Sequence, residues 1–136
     1  MKKIIILFSI AVFLIGFIVI YKYYYNKVVK INVYEISKYN QSQKTYLTSL
    51  TNPKSIDIVV ESIKHGKKIN GTLDVLPANY IVELYYTTNR RETIYLWLTK
   101  EYNTSSMYMY VNKTSTGYTI PKQYTSKLQQ VLFYTK

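Results

Sequence analysis

With 136 residues and no cysteine, the chain has room for one domain of roughly 100 residues beside a terminal segment. The missing thiol excludes disulfides, thiolate metal sites, a cysteine nucleophile and a lipid-modified cysteine. A net charge of +11 suits anionic phospholipid, an anionic polymer or nucleic acid, while the 17 tyrosines fit codon bias in an AT-rich genome and carry no functional argument alone.

Residues Ile4 to Ile20 are apolar apart from Ser9. As a helix this run is roughly 25 Å long, set against a hydrocarbon core of ~30 Å. Lys2 and Lys3 precede it; Tyr21, Tyr23, Tyr24 and Tyr25 follow, interleaved with Lys22 and Lys27, the composition of a membrane–water interface. No small-residue cleavage site follows. The segment therefore predicts an uncleaved signal-anchor with a juxtamembrane stretch over 1–30, and a single-pass cell-membrane protein. Lysines on the two sides nearly cancel, so the signal-like start decides the orientation, with residues 31–136 as an extracytoplasmic domain. A buried core helix is the plain alternative; the lack of a polar face argues against it.

After the anchor, residues 31–36 alternate as a first strand with a muddled face, 37–45 read as loop, and Tyr46 and Leu47 belong to a short strand. Asn52 is a good N-cap and Pro53 suits the first helical position. Ile56, Val59, Val60 and Ile63 form one apolar stripe, and Gly66 is a natural stop. Residues 69–79, with Gly71, Pro77 and Asn79, read as loop. Strands follow at Tyr80–Tyr86, Thr93–Thr99, Met107–Val111 and Thr116–Ile120, with Thr87 to Arg91 as a polar hairpin loop. Pro121 opens a last helix with Tyr124, Leu128, Val131 and Leu132 on one face. The predicted class is α+β: an antiparallel meander flanked by two helices and preceded by one transmembrane helix.

Several short motifs stand in order: Asn70-Gly71-Thr72-Leu73-Asp74, Pro77-Ala78-Asn79-Tyr80, Tyr95-Leu96-Trp97-Leu98, and Gly117-Tyr118-Thr119-Ile120 before an amphipathic helix. The series resembles the YhfM-like domain family of small exported proteins of Bacillus and relatives, over about residues 31–133. The resemblance implies a small lipoprotein or anchored protein outside the cytoplasmic membrane and brings no established activity. This chain departs from the lipoprotein form in lacking the lipid-bearing cysteine, a job that the uncleaved helix would take.

Catalysis needs groups that titrate or attack. The single histidine, His65, sits among lysines at a predicted helix C-terminus, where a capping or solvated role is ordinary. Asp57 and Glu61 stand at i, i+4 on the first domain helix, as solvated surface acids do; a divalent cation would need more oxygen ligands. No phosphate loop, serine-nucleophile motif or zinc spacing is present. The chain therefore reads as non-enzymatic, with no catalytic residue, metal or cofactor expected.

Sheet alternation supplies the one candidate surface. Val82, Leu84 and Tyr86, then Ile94, Leu96 and Leu98, then Met107, Met109 and Val111 are assigned to a core face, with Glu83 and Tyr85 opposite the first set. Tyr85, Tyr95, Trp97, Tyr108 and Tyr110 are assigned to the other, with Arg90 and Arg91 at a hairpin end. If open, that face would suit glycan, peptide or single-stranded nucleic acid; if packed by another element it would be a second core, the reading favoured here. The functional expectation is a membrane-anchored extracytoplasmic module binding a cell-envelope component, with a membrane protein as a further possible partner. A nucleic-acid-binding module, less expected, and an assembly or regulatory subunit of a membrane complex are the alternatives.

Overall fold

The computed structural model describes residues 2–39, 46–71 and 73–134, the side chains of residues 2–7, 22, 24 and 25 excepted. Helix α1 covers Lys2–Tyr25. Strand β1 (Val28–Glu35) leads through a short helix α2 (Ile36–Tyr39) to β2 (Thr48–Leu50), α3 (Pro53–Lys64) and β3 (Lys67–Lys68). Strands β4 (Tyr80–Tyr86), β5 (Arg91–Trp97), β6 (Ser106–Tyr110) and β7 (Gly117–Ile120) follow, then α4 (Lys122–Gln129), continued by a π-turn over Gln130–Tyr134.

The ends of α3 are set by local chemistry. The Asn52 side chain accepts from the backbone N–H groups of Lys54 and Ser55, and Pro53 takes the first turn, where its missing N–H costs nothing. Ile56 and Val59 on the inner face are buried and Ile63 is partly so. The chain then reaches β3, where Lys67 pairs with Thr119 and Lys68 with Tyr118. The sequence reading assigned no strand to these lysines. A two-residue strand carries too little alternation to be seen without its neighbour.

All seven strands join one antiparallel sheet, in the order β2-β1-β4-β5-β6-β7-β3. Helix α3 therefore links one edge strand, β2, to the opposite edge strand, β3, and β1 with the run β4 to β7 fills the space between. One face carries Ile31 and Val33, Val82 and Leu84, Ile94 and Leu96, Tyr108 and Ile120. These pack with Ile56 and Val59 of α3 and Leu128, Val131 and Leu132 of the C-terminal helical segment.

Several expectations need correction. The sheet is larger than a meander, since β1 inserts beside β4 and β3 closes the far edge. Both helices pack together into the core of one face instead of flanking the sheet. Strand β1 starts at Val28, with a register shift between Val28 and Lys30; its alternation over 31–36 is muddled because Ile31, Asn32, Val33 and Tyr34 are all buried, so both faces of the strand are covered. Arg91 pairs with Tyr85 inside the sheet and is not part of the hairpin loop. The register also overturns the face assigned to β6: Tyr108 lies opposite Leu96 and Tyr110 opposite Ile94, whereas Met107 faces Trp97 and Met109 faces Tyr95. Directly paired residues share a face, so Tyr108 and Tyr110 belong to the core side.

The transmembrane helix is corrected as well. Ile4 to Leu7 of the expected span lie outside the described side chains. From Phe8 to Ile20 the apolar segment is helical throughout. Its apolar side chains, Phe8, Phe13 and Phe17 among them, are exposed. Among the described residues no helix is long and apolar enough to cross a membrane.

Candidate functional site

The sheet face turned away from α3 and α4 carries two different environments. At its β1–β4 end lies Glu83, only 1% exposed. Its Oε2 accepts from the Tyr34 hydroxyl at 3.1 Å and the Tyr85 hydroxyl at 2.7 Å. Its Oε1 accepts from the Tyr39 hydroxyl at 2.9 Å and meets Arg91 Nη1 at 3.6 Å. Asn32 joins through Tyr34, at 3.5 Å, and Ser49 donates to Asn32 at 2.9 Å. Burial, with the carboxylate next to it, pushes the Tyr34 and Tyr85 hydroxyls upward in pKa. Tyr39 belongs to α2, and Tyr46 packs on Tyr34 at 5.1 Å, so this end is roofed. Each carboxylate oxygen already has two partners, which leaves the group saturated and makes it a fastener for α2 rather than an acid or base.

At the β5–β6–β7 end the roof is the returning chain over residues 73–79. Trp97 Nε1 donates to Leu76 O at 2.7 Å, Asn79 Oδ1 accepts from Leu98 N at 3.1 Å, and Ala78 is buried. Loop side chains also close over Gly117, where an added Cβ would meet Leu73 at 2.7 Å. The cover is incomplete. A groove of about 400 Å³ stays open, lined by Leu76, Pro77, Asn79, Trp97, Thr99, Ser105, Ser106, Met107 and Thr119. Trp97 and Met107 are partly exposed, and Thr99 and Ser105 are exposed.

The walls of this groove are tied to the buried side of α4. Gln129 Nε2 donates to the carbonyls of Thr99 and Glu101, both at 2.8 Å. Thr125 Oγ1 accepts from Ser106 N at 3.0 Å and lies 2.8 Å from Ser106 Oγ. Both α4 residues are buried. The groove is thus held by the core itself, as a preorganised site requires.

The seven residues expected to form one surface separate into groups. Tyr85 and Arg91 gather around Glu83. Arg90 lies over the Tyr86 ring, 4.1 Å from its centroid, and 3.5 Å from Glu92. Tyr95 meets Trp97 edge-on at 6.5 Å. Tyr108 and Tyr110 are on the other face, where Tyr108 stacks on Tyr118 at 4.9 Å. Sequence reading missed Glu83 as the centre of a network, although a lone acid between Val82 and Leu84 in a central strand was a signal. It also missed Leu76, Met107 and Thr99, which depend on how the loop folds back.

The comparisons with known proteins add a family and a fold. The family model described as YhfM protein matches residues 27–136. The chain belongs to the YhfM protein family. No curated protein matches this YhfM chain. Among solved structures it is similar to a thioesterase-like protein from Clostridium sporogenes ATCC 15579, with a TM-score of 0.57 and 12% identity, over 79% of this chain and 96% of that one. At that identity the likeness shows the fold alone.

The likeness nonetheless corrects the earlier expectations. The YhfM domain has a thioesterase-like fold, with a seven-stranded antiparallel sheet, in place of a helix-flanked meander behind an anchor. No helix among the described residues is long and apolar enough to cross a membrane, and the reading as a membrane-anchored, non-enzymatic extracytoplasmic module is not supported. The cell-membrane location falls with it. A fold shared with a thioesterase-like protein leaves an enzyme possible in principle and names no reaction.

Proposed function

We propose that this chain is a ligand-binding domain and that its site is the groove over Trp97 and Met107. The observation that carries the reading is the Trp97 indole. Its N–H is anchored to Leu76 O while its ring stays partly exposed in a concave space of about 400 Å³. Ligand sites are concave, roughly 300–1,000 Å³, apolar in the main and furnished with a few placed polar groups. An aromatic face costs little entropy to present when the ring is already held.

Trp97 is the only tryptophan, so its indole N–H resonance and its emission report this site alone. A screen of small fragments against the full chain should move the Trp97 indole and Met107 methyl signals together. Shifts confined to the α3–α4 side would sink the reading.

A second reading, hydrolysis of a thioester, is favoured by the fold likeness. The lack of cysteine permits a background-free assay, in which thiol released from an acyl thioester is followed with a thiol reagent. Release above the blank that is lost in Trp97→Ala would make the groove a site of turnover.

A further inference from the structure

We infer that the ligand of this groove is a neutral saccharide, an inference that rests on the groove being the binding site. In a chain of 18 Lys and Arg, none of the described residues that line the groove is charged. The grooves elsewhere differ: beside α3 and α4 the lining includes Lys54, Asp57, Glu61 and Lys127, and where the start of β5 meets the end of β6 it includes Arg91 and Glu92. A phosphate, carboxylate or nucleic acid would find no paired charge here and would be drawn to those other surfaces. Lys67, the cross-strand neighbour of Thr119, stands outside the lining.

What the groove offers is an aromatic plane with hydroxyls around it. Trp97 gives a flat apolar face. Thr99, Ser105 and Thr119 give groups that both donate and accept, which matches a ring with one apolar face and hydroxyls at its rim. A purely apolar ligand would take water from the Ser105 and Thr119 hydroxyls and offer nothing in its place. A peptide taken up by strand addition needs a sheet edge, and this site lies over the face of β5, β6 and β7, with β3 between it and the edge.

The test titrates the full chain with maltotetraose, cellotetraose and chitotetraose, reading Trp97 emission and heat. At least one should saturate, with an affinity unchanged by added salt and by Lys67→Ala. Trp97→Ala should weaken it at least about tenfold, or ~1.4 kcal/mol. Because that variant loses an anchor, Ser105→Ala and Thr99→Val, both at exposed positions, serve as folded controls and should each weaken binding severalfold. If Trp97 responds only to glucose 6-phosphate or an oligothymidylate, and salt or Lys67→Ala abolishes the response, the ligand is anionic and the inference fails while the groove stands. If it responds only to a fatty acid or an acyl thioester, the inference fails in the same way. If no probe moves Trp97, both the inference and the groove reading are overturned.

Discussion

The Tyr108 ring occupies the space that the missing side chain of Gly66 leaves at the end of α3. A Cβ on residue 66 would stand 2.6 Å from Tyr108 Cε1 and 2.9 Å from its hydroxyl. That hydroxyl donates to Ile63 O at 2.9 Å, taking up a carbonyl in the last turn of the helix. Gly66 is therefore a packing requirement as well as a helix stop. Gly66→Ala should cost about 1–3 kcal/mol, the range for overpacking, read as a lower urea midpoint at unchanged slope. Tyr108→Phe should cost less, about 1 kcal/mol for one hydrogen bond. A neutral Gly66→Ala would show that the ring moves aside freely.

Glu83 fastens α2 to the sheet through three phenols and Arg91. Glu83→Ala should cost about 3–5 kcal/mol, as when one member of a buried charged cluster is removed. Glu83→Gln should fall between, because an amide keeps one accepting oxygen in place of two. Arg91 is more than half exposed, so Arg91→Ala should cost no more than about 1 kcal/mol. Chemical denaturation of the three variants orders them; a Glu83→Ala loss no larger than that of Arg91→Ala would contradict the network.

Helix α3 depends on its first turn. Asn52→Ala removes the acceptor of two backbone N–H groups, at 2.9 and 3.4 Å, and should cost ~1 kcal/mol. Asn52→Asp should keep most of the stability, since the carboxylate accepts the same bonds. Thermal melts in parallel decide the order.

Alkaline pH should weaken the fold. Burial first, and then the Glu92 carboxylate 2.6 Å away, push the Tyr86 hydroxyl up to about 12. Burial raises Tyr108 and Tyr110 too. An unfolded tyrosine ionises near 10, so the unfolded chain releases these protons first. The stability tied to the neutral phenols is complete below about pH 10 and declines as pH climbs from there toward about 12. Tyr86→Phe should flatten part of the decline. Urea midpoints measured from about pH 8 to about pH 11, a range that spans the unfolded tyrosine pKa near 10, should fall in the native chain and fall less in the variant.

By itself the sequence determined what depends on neighbours along the chain. The Asn52-Pro53 start, the apolar stripe of α3, the strands around Tyr80–Tyr86 and Thr93–Thr99, and the ordered motifs of the YhfM family are all local signals. Tertiary structure decided which face each strand turns inward. Alternation marks two sides of a strand and cannot name them until a neighbour sets the register, and a one-residue choice moves every side chain across; that is why Tyr108 and Tyr110 lie in the core and Met107 beside Trp97. It also decided that Glu83 is buried, because its partners come from β1, α2, β4 and β5. The groove over Trp97 arises the same way. Loop 69–79 has no periodicity to read, and only the return of residues 73–79 across β5 to β7 brings Leu76 to the indole and leaves the ring half covered.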